Sequence, residues 1–217
     1  YNGTAQGPAS STVTGSTGAV SYSYSGTGST TYSASSTQPT NAGTYQVIAT
    51  VAQDANYNSA SSAPLAFTIG QASLTITANN QNKTYGSTQS TPVAGSTAFT
   101  STGLVNSETI GSVTLTYGAG ALTATATAGS TSTITPSAPT GGSFNSANYS
   151  ITYNIGTLTV TKAQITITAG SQSVSYGTPV ANVTTAGSYT PTGFVNSETS
   201  AVITGSVTYT TTYTATS

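Results

Sequence analysis

The sequence contains no histidine, cysteine, methionine, tryptophan or arginine. Charge is almost as scarce, confined to Lys83, Lys162, Asp54, Glu108 and Glu198. An ordinary soluble domain is about a quarter charged, whereas this chain is 2 % charged. Without imidazole or thiol, most acid–base, nucleophilic and transition-metal chemistry has no group to run on. Neither a disulfide framework nor a Cys-based metal site can form. The acids are spread too thinly to give the close, tuned carboxylate pair of a glycosidase. A net charge of −1 offers no basic face to nucleic acid or anionic lipid. No run approaches the roughly 18 apolar residues of a membrane helix, and Tyr1-Asn2-Gly3 is no charged leader. The sequence therefore reads as a mature segment or a window of something longer. It is expected to have no catalytic residue, cofactor or metal, to bind no nucleic acid and to insert in no membrane.

What is present is β-pattern. Apolar residues make up 35 % of the chain and fall in short runs that alternate with period two, the mark of half-buried strands. Tyr45, Val47, Ala49 and Val51 form one run, and Leu74, Ile76 and Ala78 another. Val113, Leu115 and Tyr117 follow, then Tyr149, Ile151, Tyr153 and Ile155, then Leu158 and Val160, then Ile165 and Ile167. The intervening positions are mostly Thr, whose β-branch suits a pleated backbone. Turn residues such as Ser25-Gly26-Thr27-Gly28 and Asn41-Ala42-Gly43 punctuate the runs, and no window carries an apolar stripe at helical spacing. The pattern predicts an all-β chain of sandwich modules. A β-grasp-like module, which would add one helix, is the alternative.

The runs repeat. Ala72-Ser73-Leu74-Thr75-Ile76-Thr77-Ala78 returns 91 residues on as Ala163-Gln164-Ile165-Thr166-Ile167-Thr168-Ala169. Tyr85-Gly86 returns as Tyr176-Gly177, and Gly103-Leu104-Val105-Asn106-Ser107-Glu108-Thr109 as Gly193-Phe194-Val195-Asn196-Ser197-Glu198-Thr199. More loosely, Tyr1-Asn2-Gly3-Thr4 takes the place of Tyr85-Gly86-Ser87-Thr88, and Ala55-Asn56-Tyr57 that of Ala147-Asn148-Tyr149. Three repeats are expected, over residues 1–72, 73–163 and 164–217. The first is expected to lack its opening strand and the last its closing strand. The joins, Ile69-Gly70-Gln71-Ala72 and Val160-Thr161-Lys162-Ala163, leave almost no linker, which favours a stiff rod over a flexible string.

These words resemble the MBG repeats of large bacterial surface proteins. That pattern is a TITA-like strand, Tyr-Gly, then Gly-Leu-Val-Asn-(Gly/Ser)-(Asp/Glu)-Thr, and a late Ala-Asn-Tyr. Here it stands as Thr75 to Ala78, Tyr85-Gly86, Gly103 to Thr109 and Ala147 to Tyr149. The first segment is similar to bacterial Ig-like repeats through Tyr1-Asn2-Gly3-Thr4 and Asp54-Ala55-Asn56-Tyr57. The resemblance implies tandem Ig-like sandwiches in an extracellular or cell-surface protein, as a filament or stalk segment or as an adhesin module binding glycan, mucin or another surface. The partners it implies are neighbouring copies or flanking repeats, and surface glycans.

Few side chains invite a sharper reading. Glu108 and Glu198 are read as turn acids satisfied by nearby backbone N–H groups rather than as calcium ligands, since calcium takes six to eight oxygens. Lys83, Glu108 and Asn148 are the residues from which an isopeptide cross-link would be drawn; otherwise Lys83 and Lys162 are exposed strand-end lysines that discourage wrong pairing. Tyr22 and Tyr24 in Ser21-Tyr22-Ser23-Tyr24, and Tyr209, are read as contact-surface tyrosines. Asn2, Asn82, Asn148 and Asn182 head Asn-X-Ser/Thr sequons, the N-glycosylation pattern of a secreted protein.

Overall fold

The computed structural model describes residues 1–215. The chain forms two compact units, and these do not follow the repeat boundaries. One gathers Tyr1–Asn79, Pro92–Thr116 and Ile134–Gly156. The other gathers Asn80–Thr91, Tyr117–Thr133 and the described residues from Thr157 on. The middle repeat contributes to both.

The first repeat is one antiparallel sheet of β1 (Val20–Gly26), β2 (Gly43–Val51), β3 (Ala60–Ser61) and β4 (Leu65–Ile69). Its central strand β2 sets Tyr45 opposite both Gly26 and Phe67. The core is aromatic: Tyr45 stacks on Phe67 at 5.5 Å, and Tyr24 meets the same ring edge-on at 6.3 Å. Tyr24 and Tyr45 are each 2 % exposed. Their hydroxyls donate to Pro8 O at 2.7 Å and Asn41 O at 2.8 Å, as buried phenols must. Tyr24, expected on a contact surface, is therefore a core residue. Tyr22 and Tyr209 are half-buried.

The middle repeat supplies β5 (Ala72–Ala78), β6 (Gln81–Thr84), β7 (Val93–Ser96), β8 (Phe99–Thr102) and β9 (Ile110–Tyr117). It continues with β10 (Thr131–Gly142), β11 (Tyr149–Asn154) and β12 (Gly156–Thr161). These strands make two sheets, ordered β11-β5-β8 and β6-β12-β10-β9-β7. The inward sets are those of the period-two pattern: Leu74, Ile76 and Ala78 on β5, Val113, Leu115 and Tyr117 on β9, Leu158 and Val160 on β12. The architecture is all-β and sandwich-like, as expected.

Two pairings are parallel, β11 with β5 and β12 with β6. The register is the same in both: Tyr149 faces Ala72 and Leu158 faces Gln81, each pair 77 residues apart. The opening strand is interrupted at Asn79-Asn80 and the closing strand at Ile155, and the segments before the breaks pair in one sheet and those after them in the other. A Cβ on Gly156 would lie 2.6 Å from Ala78 O, so only glycine fits at this break.

The third repeat begins the same way. β13 (Thr166–Ala169) pairs antiparallel with β14 (Tyr189–Thr192), Thr166 facing Thr192 and Ala169 facing Tyr189. This reproduces β5 on β8, where Thr75 faces Thr102 and Ala78 faces Phe99. One element departs from the helix-free expectation: α1 (Val180–Thr185), which begins after Pro179 and buries no residue. At six residues it is a local turn of helix, not the packed helix of a β-grasp module.

Candidate functional site

Among the described residues no group of three His, Cys, Asp or Glu side chains could hold a metal. Attention falls instead on the two Asn-Ser-Glu turns, which carry two of the three acids. Both turns have the same backbone. Asn106 and Ser107 have φ of 50° and 56°, Asn196 and Ser197 of 53° and 60°. Glu108 N donates to Val105 O and Glu198 N to Val195 O, each at 3.0 Å. Positive φ at both central positions is the type I′ pattern. Gly103 and Gly193 let the approaching chain press against the preceding strand; a Cβ there would stand 2.2 Å from Ser73 O and 2.4 Å from Gln164 O.

The turn aims its carboxylate at tyrosine. Glu108 Oε1 accepts from the Tyr1 hydroxyl, and Oε2 from the Tyr149 hydroxyl at 2.7 Å. Tyr149 also accepts from Val105 N at 3.1 Å, and its ring meets Tyr1 edge-on at 5.5 Å. Asn106 Nδ2 donates to Gly3 O at 2.8 Å. Hydrogen bonding to Glu108, with partial burial, pushes the Tyr1 phenol up to about 12; burial pushes Tyr149 upward as well. In the other unit, Glu198 Oε1 accepts from the Tyr85 hydroxyl at 2.7 Å, and Asn196 Nδ2 donates to Ala124 O at 3.0 Å. The tyrosine of one repeat thus meets the acid of the next, twice. The reading of these acids as satisfied by local N–H groups is corrected: their partners are phenols, Tyr1 and Tyr149 for Glu108 and Tyr85 for Glu198, between 41 and 113 positions away along the chain. The signal lay in the recurrence of the Tyr-Gly word at Tyr85 and Tyr176 and of a single Glu in each of the second and third repeats, Glu108 and Glu198, in a sequence of only five charged residues.

The remaining singled-out residues are placed as follows. Lys83 is 7 % exposed, and its ammonium donates to Ser87 O at 2.8 Å and Thr123 O at 2.7 Å. It is a buried brace, not an exposed strand-end lysine; Lys162 is exposed. Asn148 is 1 % exposed, accepting from Ala42 N at 2.9 Å and donating to Asn41 Oδ1 at 3.1 Å. Lys83, Glu108 and Asn148 therefore each have other partners, and no hydrogen bond joins any two of them as an isopeptide cross-link requires. Burial also removes Asn148 from the glycosylation candidates in the folded protein, while Asn2, Asn82 and Asn182 are exposed. Asp54 closes a loop, accepting from Asn56 N and Tyr57 N at 2.8 Å and from Thr17 N at 2.7 Å. These N–H donors hold its carboxyl well below the usual range. Tyr57 is 53 % exposed where its sequence counterpart Tyr149 is 3 % exposed, so the two Ala-Asn-Tyr words do different work.

The fold and these contacts define an all-β repeat whose tyrosine–acid joints tie the turn of one repeat to the Tyr-bearing loop of the one before it. Residues 74–159 match the family model of the MBG domain, YGX type. The match makes residues 74–159 consistent with an MBG-type repeat domain. Comparison with curated proteins and with solved structures gave no match. No helix among the described residues is long and apolar enough to cross a membrane.

Proposed function

We propose that the chain is a non-enzymatic structural segment of an extracellular stalk or filament, passing load and distance from one repeat to the next. The observation that carries this reading is the parallel pairing of first and last strands in the middle repeat. A repeat opened and closed by parallel strands is entered at one end and left at the other, which is what end-to-end stringing needs. The two tyrosine–acid joints support it, because each bonds a turn of one repeat to the Tyr-bearing loop of the previous one. The near-absence of charge fits a place where contact between neighbours is tolerated. Small-angle X-ray scattering of the isolated chain tests the reading. A radius of gyration well above the roughly 17 Å of one compact globule of this length is the expected result, and a value near it defeats the stalk.

A second reading, an adhesin module, is favoured by one observation. An open pocket of about 560 Å³ in the first unit is lined by Tyr32, Asn41, Thr44, Tyr45, Gln71 and Asn148 among others. Aromatic faces with hydroxyl and amide edges suit a sugar. Saturable retention on immobilised mucin glycans, lost in a Tyr32→Ala variant, would favour this reading over the spacer.

A further inference from the structure

Tyr149 does four things at the first joint. It caps Glu108 Oε2, accepts from Val105 N, packs on Tyr1 and begins the strand that covers one edge of β5. The second joint presents the same receptors without that occupant. Glu198 Oε1 takes Tyr85, but Glu198 Oε2 and Val195 N have no partner among the described residues. Beside them lies a groove of about 370 Å³ lined by Tyr85, Lys162, Ala163, Ile165, Phe194 and Glu198 among others. β5 is flanked by β11 and β8, whereas among the described residues β13 pairs with β14 alone. Exposure differs as well: Leu74 and Ile76 are 1 % and 0 % exposed, while Ile167, the counterpart of Ile76, is 45 % exposed.

We propose that this edge and groove form a docking site for an extended strand of the Ala-Asn-Tyr type, laid parallel to β13. The occupant is the closing strand of the repeat that β13 opens, as β11 closes the repeat that β5 opens. Carrying the β11–β5 register over, its tyrosine faces Ala163, its next apolar residue faces Ile165 and its second aromatic faces Ile167. The phenol donates to Glu198 Oε2 and accepts from Val195 N. Backbone pairing supplies the affinity and the tyrosine pocket the selectivity, as in β-augmentation. The inference stands whether the protein is a spacer or an adhesin.

The test uses the full chain and a peptide of its own residues 144–155. Saturable one-to-one binding is expected, with slowed amide exchange in β13. A peptide carrying Tyr149→Phe is expected to bind about tenfold more weakly, as is the native peptide to a Glu198→Gln chain, each losing one charge-assisted hydrogen bond. Because the peptide change leaves the protein untouched, misfolding of the variant chain cannot mimic the result. In a second arm, residues 144–161 fused behind a flexible linker at the C-terminus raise the thermal midpoint of the third repeat, and the fused copy with Tyr149→Phe raises it less. Absence of both peptide binding and stabilisation by fusion overturns the proposal, as does binding indifferent to both substitutions. Self-association of the chain through β13 that the peptide does not displace assigns the edge to a second copy and likewise overturns it.

Discussion

The hydroxyl of Tyr85 donates to Glu198 Oε1 at 2.7 Å across 113 positions of sequence, and Tyr1 stands to Glu108 in the same relation. In a chain with three acids, two are spent on this contact. The difference between the joints lies in the second phenol, from Tyr149, which only Glu108 receives.

That asymmetry sets the first expectation. Glutamine keeps one acceptor oxygen and replaces the other with a donor, so Glu108→Gln strands one of two tyrosines, whereas Glu198→Gln keeps its single bond in weaker form. With hydrogen bonds to charged groups worth about 1.5–3 kcal/mol, and both sites partly open to water, Glu108→Gln should cost about 2 kcal/mol and Glu198→Gln about 1 kcal/mol or less. Urea midpoints of the two variants check the order; equal losses would contradict the two-phenol account of Glu108.

The Tyr1 phenol, pushed up to about 12 by Glu108, predicts an alkaline limb of stability. The folded state holds the proton more tightly than the unfolded chain, whose tyrosines titrate near 10. Its contribution is therefore complete below about pH 10 and is lost as pH rises through about 12. Asp54 has the opposite sign: its depressed carboxyl contributes above about pH 4, and that contribution falls away on acidification. Thermal midpoints of Tyr1→Phe and the parent should converge above pH 12, and a constant gap across the alkaline range would refute the assignment.

The I′ turns predict two glycine effects of opposite sign. Ser107, at φ 56°, sits where glycine carries no Cβ penalty, and the family pattern itself alternates Gly and Ser there. Ser107→Gly should stabilise by up to about 1 kcal/mol. Gly103→Ala should destabilise by more than about 2 kcal/mol, since φ is 102° and the new Cβ would meet Ser73 O at 2.2 Å. Denaturation of both variants reads the signs, and a stabilised Gly103→Ala chain would show that the strand can retreat.

Much of the fold was legible because burial and alternation agree: Leu74, Ile76, Val113, Leu115, Leu158 and Val160 were all read as inward, and all are buried. β10 was not. Its inward positions include Ser132, Ile134 and Pro136, and proline argues against a strand inside a sheet. Nor could α1 be read. Thr91-Pro92-Val93-Ala94 and Thr178-Pro179-Val180-Ala181 are the same tetrapeptide, yet the first leads into β7 and the second into α1. Val93 faces Leu115 on β9, whereas the described residues after Ile203 form no strand beside Val180. The pairing partner, not local propensity, decides. The joints were half legible: the recurring Tyr-Gly and Asn-Ser-Glu words were evident, but pattern alone does not say that they meet across repeats.

Lys83 supplies the last prediction. It sits on β6 facing Val160 on β12, 7 % exposed, with its ammonium shared between Ser87 O and Thr123 O. An unbraced ammonium would be expelled from such a place at a cost of several kcal/mol, so the two carbonyls must hold it. Conversely, it is their donor, tying two loops to a strand. Lys83→Met keeps the aliphatic stem but leaves both carbonyls without that donor. A buried acceptor left unpaired costs about 1–3 kcal/mol, less for these part-buried carbonyls, which water can reach, and the loss is partly offset because a charge no longer has to be desolvated. A net loss of about 2 kcal/mol is expected. The third repeat has Val174 at the corresponding position, 42 % exposed, so Val174→Lys should change stability by less than about 0.5 kcal/mol. Urea unfolding at neutral pH distinguishes the two sites. If Lys83→Met unfolds at the parental midpoint, the ammonium is a tolerated passenger; if it unfolds early while Val174→Lys does not, the brace belongs to the middle repeat alone.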